Sequence, residues 1–242
     1  MKTTSDWFTS WFDTPYYHIL YKDRDDTDAR IFMQNITTFL GLKSKNHILD
    51  LACGKGRHSV FLNSLGYKVT GADLSANNIA YASSFQNERL HFVEHDMRNQ
   101  FSKKYDAIFN LFTSFGYFED DKEDIQVLLN VKNGLKKNGI AVIDFLNVFD
   151  VKNNLVKNEM KSINGIDFFI NRKIENGFII KEIGFTADGK EHSYFERVKY
   201  IDLEKFTSYF KKAGLKINHT FGNYNLNPFD KKTSKRLIFV VS

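Results

Sequence analysis

The feature that most constrains this chain is the run Ile48-Leu49-Asp50-Leu51 passing directly into Ala52-Cys53-Gly54-Lys55-Gly56-Arg57-His58. A short apolar strand that ends in a two-glycine turn and continues into a helix-like segment is one strand–turn–helix unit. Tyr67-Lys68-Val69-Thr70-Gly71-Ala72 repeats the strand pattern and ends at Asp73, nineteen residues after Gly54. Leu90-His91-Phe92-Val93-Glu94 repeats it again, and Asp96 follows at once. Alternating strands and helices predict a mostly parallel sheet, so the turn and both acids should open at one edge, where the strands end. That layout suits a nucleoside-bearing cofactor.

What the turn lacks narrows the cofactor. A dinucleotide site uses G-x-G-x-x-G, whose third glycine lets the helix pack close while its N-terminus faces a pyrophosphate. Here the turn reads Gly54-Lys55-Gly56-Arg57-His58-Ser59, without that glycine, and no G-x-x-x-x-G-K-[ST] occurs in the chain. Two glycines still permit positive φ and close backbone approach. S-adenosylmethionine (SAM), an adenosine with a sulfonium linker and an amino-acid tail, fits such a turn. Leu49-Asp50-Leu51-Ala52-Cys53-Gly54-Lys55-Gly56 resembles the L-D-L-G-C-G-x-G motif of the class I SAM-dependent methyltransferases, with Ala52 at the first glycine. The stretches ending at Asp73 and Asp96, and Tyr105-Asp106-Ala107-Ile108-Phe109-Asn110-Leu111-Phe112, resemble that family's second, third and fourth strands in order.

The resemblance implies site residues. Asp50, Ala52, Cys53, Gly54 and Gly56 form the cofactor turn, and Asp73 with Leu74 meets the ribose. A carboxylate at Asp73 can accept both ribose hydroxyls. Asp96 accepts from the adenine amino group and the Met97 amide meets a ring nitrogen, while Asn110, Leu111 and Phe112 sit beside the transferred methyl. Each motif has a plainer reading. A lone G-x-G is often an ordinary turn, Asp73 before Leu74-Ser75 suits a helix cap, and Asp96 can be a loop acid. Their joint spacing favours the pocket.

At 242 residues the chain suits one α/β core with an insertion. It has two prolines and no apolar run long enough to span a bilayer, and the N-terminal residues lack the apolar segment of a secretion signal. One cysteine forms no internal disulfide, so a reducing cytoplasm is expected. The net charge of +5 is spread as lysine pairs among acids, which argues against a nucleic-acid partner.

Strands are predicted over 47–51, 68–72, 90–94, 105–111 and 139–145, with helices from Thr27 or Asp28 to Leu40 and near 57–65, 75–85 and 122–136. Each strand is expected to be followed by a helix that crosses back over the sheet. Residues 146–200 break the alternation. Segments 166–172, 178–185 and 193–200 alternate at period two around Asn176-Gly177 and Asp188-Gly189, which predicts antiparallel hairpins. A helix over 202–213 and strands over 215–221 and 236–241 follow. The fold expected is a doubly wound, mostly parallel seven-stranded sheet with a small antiparallel insertion. As a single methyltransferase domain it divides into an N-terminal aromatic lid and helix (1–40), a cofactor core (41–145), an acceptor-side insertion (146–200) and a C-terminal helix and strand pair (201–242).

Methyl transfer needs an acceptor held in line with the methyl group and shielded from water. The segment Asn110-Leu111-Phe112-Thr113-Ser114-Phe115-Gly116-Tyr117-Phe118 is the candidate wall. It lacks the N/D-P-P-Y/F of the family's enzymes acting on adenine or glutamine amines. The aromatic stretch Trp7, Phe8, Trp11, Phe12, Tyr16, Tyr17 and Tyr21 reads either as a lid or as an amphipathic helix on the sheet. As a lid it turns Tyr17 and Tyr21 toward the methionine end, with Arg24 or Arg30 near its carboxylate. The seven histidines show no metal-ligand spacing. His58 could sit near the cofactor tail, and His18, His95 and His192 could act as bases only if the fold gathers them; none is assigned. The expected partner is a small-molecule N or O acceptor. The alternatives are an RNA or protein substrate, or a non-catalytic SAM-binding module.

Overall fold

In the computed structural model, which describes residues 7–22 and 26–242, the glycine turn is set by the strand that feeds it. β1 (His47–Leu51) pairs in parallel with β2 (Lys68–Asp73) on one side and β4 (Tyr105–Asn110) on the other. With β3 (Leu90–Glu94), β5 (Leu135–Leu146), β10 (Ile217–Phe221) and β11 (Arg236–Val241), they form a seven-stranded sheet. Its order is β10-β11-β5-β4-β1-β2-β3, with β11 antiparallel to both β5 and β10. The chain runs outward from β1 through β2 to β3, then returns to β4 on the far side of β1. That reversal opens a crevice at the carboxyl ends of β1 and β4.

Successive residues of β1 face opposite layers: Ile48 packs with Phe32, Met33, Leu62 and Phe92, and Leu49 with residues such as Ile108 and Phe145. Helices α3 (Asp26–Phe39), α4 (Arg57–Ser64), α5 (Ala76–Ala82) and α6 (Asp121–Gly134) accompany the sheet. α5 begins where Ser75 Oγ accepts from Asn78 N–H (3.0 Å), and α6 where Asp120 accepts from Lys122 N–H (2.9 Å). The expected helix over 75–85 ends as a 3₁₀ turn, Ser83–Phe85. One expectation needs correction: residues 95–104 cross from β3 to β4 with no helix. Phe101 in this crossing packs on His95, with ring centroids 4.9 Å apart.

The insertion holds one more strand and one more helix than its sequence suggests. After α7 (Val148–Asn153) come β6 (Asn158–Ile163), β7 (Ile166–Glu175), β8 (Phe178–Ala187) and β9 (Lys190–Lys199), an antiparallel sheet in chain order. Its hairpin turns are Asn164-Gly165, Asn176-Gly177 and Asp188-Gly189, each with both residues at positive φ. Two-residue turns of that shape match the right-handed strand twist. β6, α7 and the first turn escape the sequence reading. β5 also begins at Leu135, before the expected 139, and runs through Asn138 at φ 64°.

The N-terminal helices α1 (Trp7–Trp11) and α2 (Pro15–Leu20) lie against this sheet. Trp7 meets Phe195 at 5.7 Å and Trp11 meets Tyr194 at 4.7 Å between ring centroids. α8 (Leu203–Ala213) buries Phe206 and Phe210 and stops at Gly214, in the left-handed conformation that often closes a helix. Among the described residues, no helix is long and apolar enough to cross a membrane.

Candidate active site

A cavity of about 910 Å³ occupies the crevice at the strand ends. Its floor is the glycine turn. Cys53 N–H donates to Ala72 carbonyl and Gly56 N–H to Cys53 carbonyl, both at 3.0 Å, so the chain reverses tightly between β1 and α4. Gly54 (φ 55°) lines the cavity, and a Cβ there would meet nothing within 4 Å. Gly56 (φ 81°) is held differently, because a Cβ would lie 2.6 Å from the Phe92 ring. Ala52 takes φ 62° where a glycine would adopt that shape without strain.

The residues expected at the cofactor divide into two groups. Ala52, Cys53, Gly54, Asp73, Leu74, Asp96, Met97, Leu111, Phe112, Tyr17 and Tyr21 line the cavity. Asp50, Gly56 and Asn110 support it from behind. Asp50 is buried and accepts from Ser59 Oγ at 2.6 Å, and Asn110 Nδ2 donates to Leu51 carbonyl at 3.1 Å. Burial pushes the Asp50 carboxyl up to about 6, against the opposing bond from Ser59, and the nearby Asp73 charge adds to the rise. Burial also raises the Cys53 thiol well above its ordinary value, with Asp50 and Asp73 adding to it. That thiol is a packing group rather than a nucleophile.

Asp73 ties the end of β2 to the glycine turn. Its Oδ2 accepts from Gly54 N–H at 2.8 Å and its Oδ1 from Ser75 N–H at 2.9 Å. Burial raises its carboxyl despite these bonds. The Asn78 side chain also bonds this carboxylate, which has about four acceptor sites in all and so keeps capacity for a ligand hydroxyl. Asp96 is held by Arg98, whose Nε and Nη2 both donate to it, and Arg98 also reaches Glu123 at 2.9 Å. Burial alone would raise the Asp96 carboxyl, but the Arg98 bonds outweigh that and hold it below the ordinary range. Trp7 Nε1 and His95 Nε2, on residues lining the same cavity, are buried and have no hydrogen-bond partner among the described residues. Buried polar atoms of that kind fit a site that takes a nitrogen- and oxygen-rich ligand.

The roof comes from the N-terminal segment and β9. Trp11 Nε1 (2.9 Å) and Tyr21 OH (2.6 Å) both donate to Glu196 Oε1. Lys181 Nζ lies 3.8 Å from Glu196 and 4.4 Å from the Tyr21 ring centroid. On the opposite side Ser75 Oγ donates to Asp13. At the far end, Phe112 packs between His58 (4.4 Å) and Tyr224 (5.5 Å). There Arg236 joins the wall, paired with Asp144 at 2.8 Å. Burial and the Asp144 charge both raise the Tyr224 hydroxyl.

Some expected residues lie elsewhere. Arg30 stacks over Phe61 at 5.2 Å and does not line the cavity, and Arg24 lies outside the described residues. His18, His58 and His95 line the cavity, whereas His192 stacks on Phe185 in the insertion. Glu196, Tyr224 and Arg236 were missed by sequence reading, since no local motif marks them. Among the described residues, no group of three His, Cys, Asp or Glu side chains is arranged to hold a metal.

Residues 48–139 match the family model described as a methyltransferase domain. YqeM of Bacillus subtilis (strain 168), which is named as a methyltransferase, is 32% identical over 114 residues, and that alignment spans 46% of each protein. The dTDP-3-amino-3,4,6-trideoxy-alpha-D-glucopyranose N,N-dimethyltransferase of Streptomyces venezuelae is 25% identical over 188 residues, 72% of this chain and 77% of that protein. A SAM-dependent methyltransferase from Clostridium acetobutylicum ATCC 824 shares the fold at a TM-score of 0.80. Its identity is 20%, with 94% of this chain and 95% of that one covered. The matched stretch is a methyltransferase domain, and the sheet around it has the fold of that SAM-dependent methyltransferase.

Proposed function

We propose that this chain transfers a methyl group from SAM to a nitrogen or oxygen atom of a small molecule, releasing S-adenosylhomocysteine. The observation that carries the reading is the cavity. At about 910 Å³ it lies near the top of the range for ligand pockets, roughly 300–1,000 Å³, so it has room for a cofactor and a modest acceptor together. Its roof of aromatic rings and β9 suits a small molecule better than a polymer. The amino-sugar methyltransferase among the relatives supports the same class of acceptor.

In this reading Asp73 accepts the ribose hydroxyls, Asp96 and the Met97 amide hold the adenine, and Gly54 lets the backbone approach. Tyr17 and Tyr21 cover the methionine end. When bound, the cofactor supplies an electrophilic methyl group on a sulfonium. Leu111, Phe112 and Thr113 then form the wall that orients the acceptor and excludes water. A neutral amine needs no more than that, whereas a hydroxyl or an ammonium needs a proton acceptor. The proposed division is a lid and helix over 1–40, a cofactor core over 41–145, an acceptor-side insertion over 146–200 and a closing segment over 201–242, all in one domain. A reducing cytoplasm suits the buried thiol of Cys53.

The test is incubation with SAM and a panel of small amines, amino sugars and phenols, read by mass spectrometry. The expected result is a singly methylated acceptor with an equal amount of S-adenosylhomocysteine. SAM binding without turnover on any member, alongside methylation of an RNA or protein fraction, would contradict the small-molecule reading.

A further inference from the structure

The turn after β4 holds two consecutive non-glycine residues in the left-handed region, Phe112 at φ 58° and Thr113 at φ 66°. A bulky side chain and a β-branched one are both disfavoured there, because Cβ crowds the backbone. Such a shape persists only where its surroundings over-determine it. Asp144, fully buried near the end of β5, accepts from Phe112 N–H through Oδ2 at 2.9 Å, and its carbonyl accepts from Thr113 N–H at 3.3 Å. Arg236, which begins β11, donates through Nε to Asp144 Oδ1 at 2.8 Å and through Nη2 to Thr113 Oγ1 at 2.9 Å. Tyr117 OH donates to the Thr113 carbonyl. The amide, carbonyl and hydroxyl of Thr113 are therefore all held. Phe112, Thr113 and Arg236 line the cavity, while Asp144 stands behind them.

We infer that Asp144 and Arg236 are positioning residues for methyl transfer: they clamp the 111–114 turn in a shape it would not keep alone, so that Phe112 and Thr113 wall the acceptor beside the methyl group. The inference deepens the methyltransferase reading and rests on it. The clamp spans two antiparallel neighbours, with Asp144 opposite Ile238 and Arg236 opposite Leu146, so the C-terminal strand is coupled to the wall of the site. It acts on the acceptor side and leaves the glycine turn, Asp73 and Asp96 untouched.

The test follows amide hydrogen exchange over 111–117 in the ligand-free full chain, with S-adenosylhomocysteine titration beside it. Arg236→Gln should raise exchange in that segment by roughly tenfold or more, with exchange over 52–58 unchanged. Affinity for S-adenosylhomocysteine should stay within about threefold, and kcat on an accepted amine or phenol should fall by roughly tenfold while KM for SAM holds. Asn tolerates the left-handed region and offers an acceptor for Arg236. Thr113→Asn alone should therefore slow exchange, and Arg236→Gln/Thr113→Asn should recover most of the lost protection. Unchanged exchange in Arg236→Gln, or no recovery in the double variant, overturns the inference. Should Arg236→Gln fail to fold, Thr113→Asn decides alone: slower exchange supports the clamp, and equal or faster exchange overturns it. Exchange needs no ligand, so failure of the clamp is distinct from failure of the methyltransferase reading, which appears as absent SAM binding.

Discussion

Asp50 and Asp73 are two acids on neighbouring strands with different surroundings. Asp73 ends β2 at the cavity, fixed by the Gly54 and Ser75 amides, and its spacing from the turn made it readable in the sequence. Asp50 faces the interior with Ser59 as its hydrogen-bond donor. Sequence could place it in the motif but could not say that it stands behind the turn. Its carboxyl, raised by burial to about 6, binds a proton more tightly in the folded chain than in the unfolded one. That preference favours folding fully below pH ~4 and is lost as pH rises through ~6, leaving a charge-burial penalty of about 3 kcal/mol at neutral pH. Asp50→Asn removes the titration while keeping an acceptor for Ser59. Its stability relative to the parent should rise by about 2–3 kcal/mol between pH 4 and 7 in urea unfolding. A difference that stays flat with pH would contradict this account of Asp50.

The strands of the core and the hairpins were legible for separate reasons. Core strands are continuous apolar runs that end at turn or acid residues, and Asn176-Gly177 and Asp188-Gly189 are hairpin signals in themselves. β6 was not legible. It is an edge strand, Asn158-Glu159-Met160-Lys161-Ser162-Ile163, with mostly exposed side chains, so no buried face imposes alternation. The residues at the far end of the site stayed hidden because the sheet, not the local sequence, gathers them. Arg236 meets Asp144 across 92 positions, and Trp11 meets Glu196 across 185. The latter contact fastens the N-terminal helices to the insertion, since Trp11 and Tyr21 share one oxygen of Glu196. Hydrogen bonds to a charged group contribute about 1.5–3 kcal/mol. Glu196→Ala should therefore raise proteolytic cleavage within 12–22 by roughly ten- to hundredfold while the global unfolding midpoint changes little. Cleavage at the parental rate would show that the aromatic packing alone holds the segment.

Taken as a molecule, the chain builds its site from four sources: the turns and acids of the parallel sheet, the helices before it, the sheet inserted after β5, and the C-terminal segment that brings Tyr224 and Arg236. In the proposed function the glycine turn, Asp73 and Asp96 hold the cofactor, and their motifs were visible in the sequence. The remaining parts close over the cofactor and shape the acceptor end in that proposal, where side chains from distant segments meet and no short motif exists to be read. If this division is right, the cofactor half should report on Asp73 without any acceptor present. Calorimetric titration of the purified protein with SAM and S-adenosylhomocysteine tests that most directly. The account predicts micromolar binding of both, weakened by roughly a hundredfold or more in Asp73→Ala, since charge-assisted bonds to both ribose hydroxyls are lost. A folded protein that binds neither ligand, or an Asp73→Ala variant that binds both as tightly as the parent, would contradict it.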